Sequence, residues 1–79
     1  MRVVPDQVVE SINNASGDHC VDIFVRGDGS FGFEEYRRDH EDQRGWFSLR
    51  RYSSQSFATL EAARQQARLS IAWMADSTP

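Results

Sequence analysis

A chain of 79 residues, 39% hydrophobic and 27% charged, suffices for one small domain, near the size at which a core holds without disulfides or metals. The net charge of −3 sits in residues 1–33, while the Arg and acidic residues of 34–52 cancel, so no segment forms a basic funnel for nucleic acid. The lone Cys20 excludes an internal disulfide, and no run of about 18 apolar residues is present to span a membrane.

The first segment, Val4 to Asn14, predicts a short helix over residues 5–14. Pro5 suits a first helical position, Asp6 suits the positive end of a helix dipole, and Val4, Val8, Ile12 and Ala15 fall on one helical stripe. Asn13, Asn14 and Gly17 would end it. Met1 to Asp6 lacks the apolar core of a signal peptide, which makes the cytoplasm the default address.

Cys20 to Arg26 has the period-2 alternation of a half-buried strand, with Val21, Ile23 and Val25 on one face. Gly27-Asp28-Gly29-Ser30 is a hairpin signal, because Gly accepts the positive φ of tight hairpin turns. A second strand follows from Phe31 to Arg37. Phe31 and Phe33 share a face, and Tyr36 either packs outside or follows a bulge near Glu34 and Glu35. Gly32 leaves a hole on the opposite face for a neighbouring aromatic. Adjacent Glu34 and Glu35 point to opposite faces, so they cannot work as an acid–base pair.

Residues 38–45 read as a long polar hairpin loop. A third strand covers 46–52, with Phe47 and Leu49 on one face. After a Ser-rich turn, Thr59 is a helix N-cap with Glu61 in the first turn. The helix runs from about Leu60 to Ala75 with Leu60, Ala63, Ala67, Ile71 and Met74 as its buried stripe, and residues 76–79 form a frayed tail. The predicted architecture is thus α+β in the order α-β-β-β-α: a short N-terminal helix, a three-stranded antiparallel sheet and one amphipathic helix on one sheet face. The chain is one domain, with its core in residues 20–75.

At about 100° per residue, Leu69 and Trp73, with Ala62 beside them, fall opposite the buried stripe. The N-terminal helix would cover them through Val4, Val8 and Ile12; a second copy or a protein partner would do so otherwise, or they are simply exposed.

Chemistry-bearing patterns are sparse. Gly27 to Gly32 lacks the Gly-Lys-Ser/Thr of a phosphate loop. His19-Cys20-x-Asp22 and His40-Glu41-Asp42 lack metal-ligand spacing, and no nucleophile elbow is present. No catalysis, cofactor or metal is therefore expected. Phe24, Arg26, Tyr36, Arg38, Trp46, Arg50 and Tyr52 are candidates for the uncovered sheet face, where Arg and aromatics stack bases in several modules.

The helix–three strands–helix order resembles the double-stranded RNA-binding domain. Where that family has a Lys-rich start to its last helix, this chain has Thr59-Leu60-Glu61-Ala62-Ala63, so the resemblance supplies no site residues. Phe24 to Ala67, with its Asp-x-x-Gly-type turn, aromatic-alternating strand, Ser-rich turn and Ala-rich helix, also resembles small bacterial domains of unknown function, the YegP-like ones among them. That resemblance implies a β-β-β-α fold without established catalysis. The expected role is a protein-interaction or self-associating module using Leu69, Trp73 and Ala62 or an exposed strand edge. The alternative is nucleic-acid binding by Tyr36, Arg38, Trp46, Arg50 and Tyr52.

Overall fold

The computed structural model describes residues 6–39, 41 and 45–76. Strands β1 (Gln7–Asn13), β2 (His19–Val25), β3 (Phe31–Arg37) and β4 (Phe47–Ser48) form one antiparallel sheet in that spatial order. Helices α1 (Leu60–Ser70) and α2 (Ala72–Asp76) complete an α+β fold.

The N-terminal helix is corrected to a strand. Val8 and Ile12 are four residues apart, a spacing that satisfies a helical stripe and a strand's alternation alike. Pairing decides between them: Ser11 lies opposite Asp22, and Ile12 opposite Val21, which sends Ile12 into the core. A register shift between Val8 and Glu10 marks a bulge at Val9. Asn14 begins a hairpin turn instead of ending a helix. Its side-chain oxygen accepts from the N–H groups of Asp18 and His19, both at 3.1 Å, and its amide donates to Asp18 at 2.8 Å. Gly17, at φ 74°, supplies the left-handed residue the turn needs. Val4 and Pro5 lie outside the described residues.

The sheet has four strands, not three. β2 and β3 pair without a shift, Ile23 facing Phe33 and Asp22 facing Glu34, so no bulge intervenes and Tyr36 lies on the face away from Phe33. The β2–β3 turn forms as the Asp-Gly pair predicts, with Gly29 at φ 89°. Asp28 accepts from the Ser30 N–H and hydroxyl, which holds its carboxyl below the ordinary value.

The strand predicted over 46–52 pairs only at Phe47–Ser48. The chain then leaves the sheet and returns at Phe57, which exchanges two 2.8 Å backbone bonds with Phe31.

Val21, Ile23 and Phe33 pack against Ala63, Ala67, Ile71 and Met74, with Leu60, Phe57 and Tyr52 alongside. Small Ala63 and Ala67, both fully buried, let α1 approach β2 and β3 closely. Thr59 caps α1 by accepting from the Ala62 N–H at 3.1 Å. The single helix expected to Ala75 is broken at Ile71, whose backbone is extended (φ −117°, ψ 107°). Asp76, expected in the tail, closes α2; residues 77–79 lie outside the described residues. No helix among the described residues is long and apolar enough to cross a membrane.

Candidate binding surfaces on the sheet

The helices cover one sheet face, and the other is built by alternation. Ser11 and Asn13 of β1 stand beside Asp22 and Cys20 of β2. Those in turn face Glu34 and Tyr36 of β3, beyond which lie Ser48 and, past the start of β4, Trp46. Ser11, Asn13, Cys20, Asp22, Tyr36 and Trp46 line an open depression of about 450 Å³.

Asp22 organises its floor, accepting from the Ser11 hydroxyl at 2.7 Å and the Cys20 thiol at 3.3 Å. Burial and then the neighbouring Asp22 push the Cys20 thiol up to about 12, so it stays protonated near neutrality and lacks the thiolate that reactive cysteines use. Burial, followed by the charges of Asp22 and Glu34, raises the Tyr36 phenol as well. Arg38 lies with its guanidinium 4.9 Å from the centre of the Trp46 ring and donates to the Gly17 carbonyl at 3.2 Å.

At the other end of the same face, Arg26 stacks on Phe24 at 4.9 Å and donates to the carbonyls of Ser53 (2.6 Å) and Gln55 (3.1 Å). Gly32 makes room for this: a Cβ there would stand 2.7 Å from the Arg26 guanidinium and 2.9 Å from the Phe24 ring. The hole read from the sequence is filled by that aromatic and by the arginine with it.

Two buried carboxylates escaped the sequence reading. Glu34 is 1% exposed and accepts four backbone N–H bonds, from Glu35 (2.8 Å), Arg51 (3.2 Å), Tyr52 (3.1 Å) and Ser53 (3.0 Å). Burial pushes its carboxyl up, but the four donors together outweigh burial and hold it below the usual carboxylate range. Glu34 thus clamps the N–H groups of the loop whose carbonyls Arg26 clamps. Preceding this loop, Arg50 adopts φ 55°, a costly conformation for a non-glycine residue. On the helix side, Glu35 takes the Trp73 indole N–H at 2.9 Å and sits 3.0 Å from His19 Nδ1, with Arg51 3.9 Å away. The His19 and Trp73 rings meet edge-on.

The residues singled out from the sequence are therefore dispersed. Tyr36, Arg38 and Trp46 share the open face. Tyr52 does not, because it stacks on Phe33 among the core residues at 5.1 Å. Arg50 is exposed in the loop after β4. The helix break at Ile71 lies between Leu69 and Trp73, and the Trp73 indole N–H donates to Glu35. Leu69 stays 74% exposed and Ala62 is half-buried. Val4, expected to help cover Trp73, and His40 and Asp42 lie outside the described residues.

The sheet edges differ. The outer side of β3 is occupied by β4, by the Leu49 N–H on the Glu35 carbonyl at 3.0 Å, and by Phe57. β1 is the opposite, terminal strand, and Val8 and Val9 are 56% and 47% exposed on it. Its one ionic side chain between residues 7 and 13, Glu10, is held by a two-pronged contact from Arg64 of α1 at 2.9 and 3.2 Å.

Comparison with protein-family models, curated proteins and solved structures returns no match to this chain.

Proposed function

We propose that the protein is a non-catalytic interaction module that self-associates by pairing β1 with β1 of a second copy. The observation that carries this reading is the unequal treatment of the two sheet edges. Edge strands left bare are templates for further pairing, and chains usually guard them with Lys, Pro, short length or bulges. The β3 edge is occupied at both ends, by Phe57 opposite Phe31 and by Leu49 and β4 opposite Glu35 to Arg37. β1 has seven residues, no Lys or Pro and two exposed valines, and among the described residues its guard is the bulge at Val9.

A second copy suits this edge better than a charged peptide, because Glu10 is engaged by Arg64 and the rest of β1 is uncharged. Two-fold antiparallel pairing sets the uncharged residues of β1 against those of the second copy, and each Glu10 is neutralised by its own Arg64. Such an interface is isologous and closes on itself.

Sedimentation equilibrium across micromolar to millimolar concentration tests the reading. A monomer–dimer equilibrium is expected, abolished by Val9→Lys, which places a charge on the exposed edge. A monomer throughout the range sinks the proposal, as does a dimer that Val9→Lys leaves intact.

A further inference from the structure

We propose that the depression lined by Ser11, Asn13, Cys20, Asp22, Tyr36 and Trp46 is a binding site for a guanidinium group, free or carried on an arginyl side chain. This goes beyond the pairing of β1, which uses the strand's outer edge and not its open face.

Three observations converge on it. The depression joins a carboxylate to two aromatic side chains, the combination that holds a planar cation by an ion pair and by the negative face of a ring. Its volume of about 450 Å³ is in the range of small-ligand sites, which run from about 300 to 1,000 Å³. The same face already receives two guanidinium groups of its own, Arg26 over Phe24 and Arg38 over Trp46, so its geometry suits that chemistry.

The field has the matching sign. Asp22 and Glu34 both act on the Tyr36 phenol in the direction that disfavours its anion, and a phosphate brought here would meet the same opposition. Among the described residues, the opposing charge at the rim is Arg38. Its guanidinium is engaged by Trp46 and the Gly17 carbonyl and competes with an incoming cation for the indole ring.

The test is a nuclear magnetic resonance titration of the full chain with Nα-acetyl-arginine amide, following the Trp46 indole and Tyr36 ring signals. Saturable shifts are expected. Trp46→Leu and Asp22→Asn each weaken binding by about tenfold, and Arg38→Gln strengthens it. Trp46 is 40% exposed, so its replacement keeps the test decisive even where Asp22→Asn unfolds the chain. A short peptide carrying one arginine, binding more tightly than the free amide, assigns the ligand to a polypeptide; equal affinity assigns it to the free group. Equivalent shifts from Nα-acetyl-glutamine amide or inorganic phosphate overturn the proposal. So does binding of the arginine amide that Trp46→Leu leaves unchanged.

Discussion

Glu34 illustrates how one side chain can replace a stretch of strand. Residues 51–53 leave the sheet, and their N–H groups would be stranded without an acceptor; the carboxylate takes all three and the Glu35 N–H as well. Hydrogen bonds to a charged acceptor are each worth about 1.5–3 kcal/mol, and unmet buried donors are costly. Glu34→Gln turns an amide group toward some of these donors and should cost about 2 kcal/mol in denaturant unfolding. The pH dependence has a definite sign. The folded carboxyl lies below its ordinary 4.5, so its contribution is complete above that value and is lost as pH falls through the folded value. Melting curves of the wild type and Glu34→Gln should therefore converge on acidification below about pH 5. Gly32 makes a second, independent prediction. Gly32→Ala forces its new methyl against Phe24 and an Arg26 held by carbonyl contacts, at a cost of about 1–3 kcal/mol by chemical denaturation.

At the scale of elements, the break at Ile71 decides which side chains face the sheet. α1 alone would carry its stripe past Ala67 and leave Trp73 over Leu69. With Ile71 extended, α2 sets Met74 into the core and the Trp73 indole on Glu35. Trp73→Phe should cost about 1 kcal/mol through that lost hydrogen bond, whereas Leu69→Ser should stay within about 0.5 kcal/mol; urea titration of the two variants separates them. The stripe Leu60–Ala63–Ala67–Ile71–Met74, the Thr59 cap and the β2–β3 hairpin were legible in the sequence because each rests on local spacing. The break was not: no Pro or Gly occurs between Leu60 and Asp76, so no local signal marks the extended backbone at Ile71. β1 was misread because Val8 and Ile12 satisfy two periodicities, and partner strands alone choose between them. On the open face, alternation located Tyr36 and Trp46. It missed Asp22 as the floor of the depression, whose signal was an acid at the centre of the apolar run Cys20 to Val25, and it misplaced Tyr52, which lies beyond the end of β4.

For the whole molecule, protection is graded across the sheet. β2 is paired on both sides, and β3 is paired to β2 and sealed by β4 and the 49–57 segment. β1 is paired on one side and tied to the helical layer through Glu10–Arg64 and Ile12. Local opening should therefore start at β1, since exchange tracks how few buried contacts and neighbours an element has. In dilute solution the amides of Gln7–Asn13 should exchange well before those of His19–Val25 and Phe31–Arg37. Raising the protein concentration should slow exchange selectively in β1, because association and burial of its outer edge are the same event under β1 pairing. Hydrogen exchange read by mass spectrometry at two concentrations checks this. Slowing confined to the open-face residues of β3, with β1 unchanged, would move the contact between copies from the edge to the face and refute β1 pairing.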